Sequence, residues 1–347
     1  MLKKWIILFS AVLLFTAGCA QKEAVKNHKE KQTENIEKQP PDVEHFPYQS
    51  PLTGIGLKKE PEGRAIAVMV NNHPSARPQS GLDKADIVYE VLAEGDITRF
   101  LAIFQSERPD TIGPVRSARD YYIELAKGYD SFFVAHGWSP EAKQMLKSNY
   151  IDNINGIEYD GTLFKRASFR KAPHNSYITY ENILKGADKV GAKMTQAPSP
   201  LTFLSKEELD SLTGKKAATV GISYSGNSLF HVDYKYDSKL KKYKRYSNGE
   251  LTADYDSQKP VLLDNILIVE TEHRFIDNYG RRAVDLTSGG KGYLLQRGLW
   301  NEVEWKNVDG RILPFANGKE VGLVPGKTWI NIVPIKPGLQ SSVSFKD

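Results

Sequence analysis

Cysteine is almost missing from this sequence: there is one, Cys19, in 347 residues. That rules out a disulfide framework and any zinc site built from cysteines. Long apolar runs are missing as well. The longest, Trp5 to Phe15, falls well short of the ~20 residues a helix needs to cross a bilayer core. Neither sign of charge dominates. The chain has 47 Lys and Arg against 42 Asp and Glu, a net charge of +5, or about +3 without Lys3 and Lys4, so nothing points to nucleic acid as a partner. No repeat of fixed period is visible, which excludes a solenoid or a propeller. What remains is an ordinary globular mixture, 40 % hydrophobic and 26 % charged with 27 Gly and 18 Pro. The length suits two domains, or one large domain with appendages.

The N-terminus reads as an address. Lys3 and Lys4 precede the apolar run, and Thr16-Ala17-Gly18-Cys19 closes it. Residues 1–18 therefore read as a cleaved signal peptide. The Cys after Ala17-Gly18 resembles a bacterial lipobox, in which the thiol is diacylated; Thr16 departs from it, since Leu is usual there. The expectation is a protein on the extracytoplasmic face of the cell membrane, held by lipid at Cys19, because two or more acyl chains anchor stably where one does not. Residues 19–55 carry few large apolar side chains, and the charges from Lys22 to Lys38 alternate in sign. Such a stretch cannot bury enough apolar surface to order itself, so it reads as a flexible tether with a reach of about 30 Å. A charged helix is the alternative.

The body reads as α+β in two halves of different texture. In residues 60–200, the runs Ala65–Val70, Ile87–Leu92, Arg99–Phe104 and Phe132–Ala135 read as strands. Helices are expected from Pro114, from Ser139-Pro140-Glu141 and over Thr179–Lys189. This half is a mixed α/β domain. In residues 201–347, short strands recur about every 10 residues between Gly and Asn turns, which suggests a mostly β, sandwich- or barrel-like domain.

Several residues could carry chemistry. A helix starting at Pro114 would offer free N–H groups and its dipole to an anion, with Arg116 and Arg119, three apart, leaning toward one side of that terminus and Ser117 beside Arg116; equally, Arg119 and Asp120 could pair with neighbours. His136 follows a strand and precedes Ser139 at a helix start, and ligands in open α/β sheets sit at carboxyl ends of strands. The basic stretch Phe164–Asn175 contributes Arg166, Arg170, His174 and Asn175 as a possible site wall, or simply a solvated loop. Asp86 and Glu90 share a strand face, and Glu94 and Arg99 bracket the next turn. These could line the same anion site or form structural ion pairs. No His-Glu-x-x-His is present and His73, His136 and His174 lack ligand spacing, so no metal and no cofactor are expected. Gly326-Lys327-Thr328 has Val321 where a phosphate loop needs Gly. Ser168-x-x-Lys171, Ser225-Gly226-Asn227 and Lys327-Thr328-Trp329 echo the serine β-lactam-recognising enzymes, yet Pro173 opposes the helix that Ser168 and Lys171 would need. Lys241–Tyr246 reads as an exposed hairpin strand with its tyrosines on one face.

The motifs Val68-Met-Val-Asn-Asn-His-Pro74, Ala85-Asp-Ile-Val-Tyr-Glu90, Gly113-Pro-Val-Arg-Ser-Ala-Arg119, Ala172-Pro-His-Asn175 and Pro325-Gly-Lys-Thr-Trp329 together resemble the YerB-type lipoproteins of Gram-positive bacteria. The resemblance spans about Arg64 to Pro334. It implies a two-part domain of unknown function on a lipid-anchored envelope protein, and no established catalytic residues. The residues themselves favour a module that binds an anionic cell-wall polymer or a protein partner. The alternative is a hydrolase or transferase on a phosphorylated or glycan substrate, with His136 or His174 as acid or base and Arg116 and Arg119 stabilising negative charge.

Overall fold

The computed structural model describes residues 46–346. The expected signal peptide, Cys19 and most of the tether lie outside the described residues. The first half contains strands β1 (Ile66–Asn71), β2 (Ile87–Glu94) and β3 (Ile97–Phe104), helix α1 (Asp120–Lys127), β4 (Phe132–Ala135), α2 (Pro140–Lys147), β5 (Asn153–Asn155), β6 (Phe164–Arg166), β7 (Ser176–Thr179) and α3 (Tyr180–Lys189). The second half adds β8 (Thr219–Ser223), β9 (His231–Asp237), β10 (Lys242–Ser247), β11 (Asn265–Thr271), β12 (Gly290–Gln296), β13 (Leu299–Val308), β14 (Arg311–Ala316), β15 (Thr328–Pro334) and β16 (Val343–Lys346). The fold is α+β with mostly β content, as the sequence implies.

One 12-stranded sheet draws on both halves. Its order runs β14-β13-β12-β11-β15-β2-β3-β1-β4-β5, with the short strands Lys319–Glu320 and Lys215–Lys216 beside β14 and β13. The junction is β15 against β2, paired in parallel from Thr328 with Ile87 to Ile332 with Val91. The segments 60–200 and 201–346 are therefore not separate bodies, and the described residues form one compact unit.

Alternation along the strands divides the core into two layers. Ile66, Val68 and Val70 of β1 point to one side with Val88, Phe100 and Trp329, and there they meet Val220, Ile222, Tyr234 and Tyr243 of a second, six-stranded sheet. Ala67, Met69, Tyr89, Val91 and Leu101 point to the other side and meet Tyr122, Leu125 and Ala126 of α1. With both faces covered, the strands read as continuous apolar runs. The second sheet is thus a sandwich layer on the long sheet, and its partner comes from both halves.

Two local expectations fail for identifiable reasons. No helix begins at Pro114. Residues 113–118 run extended between strand ends: Asn71 N–H donates to the Pro114 carbonyl, Arg116 N–H to Met69 and Val115 N–H to Ser176. With its donors and acceptors taken by neighbours, the segment has none left for a helical turn, and α1 starts only at Asp120. The hairpin strand β10 is not an exposed ribbon either. Tyr243 and Tyr246 are three apart, so a period of two sends them to opposite faces; Tyr243, Arg245 and Ser247 point inward. By contrast, Ser139 caps α2 and Thr179 caps α3 as their positions predict.

Arg245 is the consequence of that inward face. It is 1 % exposed, and its Nη2 donates to both carboxylate oxygens of Glu90, which is fully buried, at 2.9 and 3.0 Å. Thr98 Oγ1 and Trp329 Nε1 also donate to Glu90, at 2.9 and 3.1 Å. Burial alone would favour a neutral guanidine, but the Glu90 carboxylate and the surrounding tyrosines outweigh it and hold the group charged. Removing one partner of such a pair leaves a bare buried charge. Arg245→Met should therefore lower stability by ~3–5 kcal/mol, and adding Glu90→Gln should recover part of the loss. Urea denaturation of the single and double variants measures both; strictly additive losses would show that the pair is not coupled.

Candidate functional site

The strand directions gather the site. β1, β2, β4, β5, β11 and β15 all point the same way, because β1 pairs in parallel with β4, β4 with β5, and β2 with β15, while β3 runs against both β1 and β2. Their carboxyl ends share one edge of the sheet, where the ends of β1, β4 and β5 and the residues just after them carry Asn71 to His73, His136-Gly137 and Asn155-Gly156. The 113–118 segment crosses between them. The β6–β7 hairpin closes the side with His174, Asn175 and Ser176.

Each imidazole is fixed by a specific bond. Arg166 can only donate, so His136 Nε2, 2.9 Å from Arg166 Nη2, is an acceptor. The proton of neutral His136 then sits on Nδ1 and is donated to Ser176 Oγ at 2.7 Å. His73 Nδ1 accepts from the Ser75 N–H at 3.1 Å, which leaves the His73 proton on Nε2. Asn71 accepts from the His73 N–H through Oδ1, so its amide nitrogen faces His174 Nδ1 at 2.9 Å and His174 also carries its proton on Nε2. The His73 and His174 rings stack at 4.4 Å and 21°. Among the described residues, neither Nε2 has a hydrogen-bonding partner.

Charge around these rings is unbalanced. Arg116 lies close enough to oppose protonation of His73, His136 and His174 alike, and no carboxylate pairs with it among the described residues. All three histidines are shifted below their ordinary value, first by burial, then by Arg77 and Arg116 at His73, by Arg166 at His136, and by the His73 ring and then Arg116 at His174. Burial lowers Arg116 to about 10, with Arg99 adding to it, which leaves the guanidinium charged at neutral pH. Arg166 is held by Asp160 at 2.8 Å and reaches Asn175 Oδ1 at 3.2 Å. Arg170 donates to the Pro78 carbonyl and to Tyr177 Oη, fastening two loops.

Other predicted residues lie elsewhere or do structural work. Arg99 and Arg119 both pair with Glu94. The extended backbone parts Arg119 from Arg116: residues three apart on a strand leave on opposite sides, where a helix would have kept Arg116 and Arg119 together. Ser139 Oγ is spent on the cap of α2, and Ser117 Oγ donates to the His136 carbonyl. Asp86 accepts from the backbone of Gln105 and Ser106. With both ring nitrogens engaged, His136 has none to give a substrate in this arrangement. His73 was not among the predicted ligands, though Asn-Asn-His-Pro directly after a buried strand was the available signal. Among the described residues no group of His, Cys, Asp and Glu could hold a metal ion. A cavity of about 680 Å³ beside Glu270, Tyr293, Glu302 and Glu304 contains none of these residues.

Two regions match families described as protein of unknown function (DUF3048), the N-terminal domain over residues 52–193 and the C-terminal domain over 220–330. The chain belongs to the DUF3048 family. A Bacillus subtilis (strain 168) protein named as a candidate lipoprotein, YerB, is 48 % identical over 337 residues, 96 % of either chain. A crystal structure of the YerB protein from Bacillus subtilis superposes with a TM-score of 0.79 at 51 % identity, covering 86 % of this chain and all of that one. The expected YerB-type membership therefore holds.

Glycine makes the His136 corner possible. A Cβ on Gly156 would lie 2.2 Å from His136 Nδ1 and 2.3 Å from its Cγ, so any side chain must displace the ring. Gly156→Ala should cost ~1–3 kcal/mol by overpacking and abolish the hydrogen-bonded Nδ1–H signal of His136 in proton NMR. An unchanged signal would refute the geometry given for this corner.

Proposed function

We propose that this protein is a lipid-anchored extracytoplasmic binding module that captures an anionic group, such as the phosphate of a cell-wall polymer or an acidic partner protein, at the carboxyl-end edge of its long sheet. The observation that carries this reading is Arg116. It is a charged guanidinium without a carboxylate partner among the described residues, beside two stacked neutral imidazoles that each present an Nε2 proton. Arg77 and Arg170 add positive charge nearby, and a guanidinium fork suits a carboxylate or phosphate oxygen pair.

The anchor rests on the leader and on Cys19, with support from a relative named as a candidate lipoprotein. Among the described residues, no helix is long and apolar enough to cross a membrane. Cys19→Ser should leave the precursor uncleaved and abolish labelling by a radioactive or clickable fatty acid. Labelling that survives the substitution would defeat the anchor.

Binding should depend on salt and on pH together. A glycerol-phosphate polymer titrated into the protein should bind more weakly as ionic strength rises. Arg116→Gln should weaken it by about 10–100-fold, the worth of one charge-assisted hydrogen bond. An anion favours the protonated imidazoles, so binding raises the depressed pKa values of His73 and His174 and takes up protons. Affinity should therefore climb as pH falls below about 6.5, with the proton uptake measured by calorimetry in two buffers. Salt-independent binding, or an Arg116→Gln variant that binds like the parent, would remove the proposal.

A further inference from the structure

Asn71 and Asn72 are adjacent on an extended chain, so their side chains leave on opposite sides. Asn71 serves the histidines. Asn72 turns the other way, accepting from Arg77 Nε at 3.1 Å and donating to Thr98 and Glu90. On that side lies a cavity of about 220 Å³ walled by Asn72, Arg77 and Gln79 from the first half and by Arg245, Ser247 and Thr252 from the second.

The walls of this cavity are rich in donors. Arg245 Nε and Ser247 Oγ have no hydrogen-bond partner, although the two residues are only 1 % and 4 % exposed. Buried polar atoms are normally satisfied. Two guanidiniums, Arg77 and Arg245, stand against one buried carboxylate, Glu90, whose oxygens are already taken by Arg245, Thr98, Asn72 and Trp329. Glu250 also lines the cavity, at its exposed rim, and its charge reaches Arg77, but solvent screens it there and it does not neutralise the buried pair of guanidiniums. Burial, and Arg245 after it, push Arg77 down to about 10, which still leaves it charged at neutral pH.

Size and charge together select the occupant. The volume is below the ~300–1,000 Å³ that takes a whole drug-sized ligand, so the cavity admits a single group. The buried excess is one positive charge, which calls for a monoanion, and a planar carboxylate matches the donors of a guanidinium better than any neutral group. We propose that this cavity between the two family regions binds one carboxylate, either as a small free anion or as the end group of a longer ligand. It faces away from the histidine edge, shares with it only the charge of Arg77, and does not depend on the function proposed there.

Trp329 supplies the readout, because its indole N–H donates to Glu90 at 3.1 Å and senses the charge balance of the cluster. The full-length chain, labelled at its tryptophan indoles, is titrated with acetate, N-acetylglycine, acetamide and inorganic phosphate. Acetate and N-acetylglycine should give a saturable shift of the Trp329 indole signal. Tighter binding of N-acetylglycine identifies an end group as the source, and tighter binding of acetate a free anion. Arg77→Met should weaken the response at least tenfold. So should Ala253→Leu, which narrows the cavity without touching either arginine and guards against an Arg77 variant that fails to fold. The proposal is overturned if no carboxylate gives a saturable shift, if acetamide shifts the signal as strongly, if phosphate binds as tightly as acetate, or if Ala253→Leu responds like the parent chain.

Discussion

The pair between Glu90 and Arg245 is the constraint on which the rest of the architecture depends. Glu90 lies on a central strand of the first half and Arg245 on a hairpin of the second, 155 residues later. Charges this deep are tolerated only when each finds its counter-ion. That condition sets the register of β2 against β15 through Trp329, and the seating of the second sheet over Phe100 and Trp329, whose rings the Arg245 guanidinium approaches at 5.1 and 4.8 Å. A hydrophobic pair could fill the same space, yet it would not specify which strand must lie opposite which. The two family regions are therefore one folding unit, bound by an interaction that neither half contains alone.

Strand direction turns this core into a site. Because β1, β4 and β5 run in parallel, their trailing loops emerge together, and the extended 113–118 segment is drawn across them by the backbone groups those strand ends leave unpaired. Arg116 is carried to the histidines by the same geometry that carries Arg119 to Glu94. The result is an edge where burial, and fixed positive charge after it, keep three imidazoles neutral. An arriving anion would reverse that balance, so charge and protonation at this edge are linked.

Much of the fold was legible because it rests on local patterns. Ala65–Val70, Ile87–Leu92 and Phe132–Ala135 are apolar runs too short for anything but buried strands, and Ser139 and Thr179 announce their helices by capping. The start at Pro114 misled because Pro at a first helical position is a local preference, whereas the segment's hydrogen bonds are decided by Asn71, Met69 and Ser176, up to 61 residues away. The misplacement of Arg119 follows from that single error. His73 could be singled out only weakly, by Asn-Asn-His-Pro after a buried strand, because its role depends on the His174 ring stacked on it from another hairpin.

From its residues alone, this chain determined its class, its strands and most of its helices, its leader pattern with one cysteine, and its family resemblance, since all of these reside in composition and short-range periodicity. Tertiary structure decided which arginines are spent on carboxylates and which one is left over, which tyrosines and which arginine of the β10 hairpin are buried, and that two apparent domains share a sheet. The physical reason is range. Burial and ion pairing join side chains far apart in the chain, and their outcome depends on which strand lies beside which.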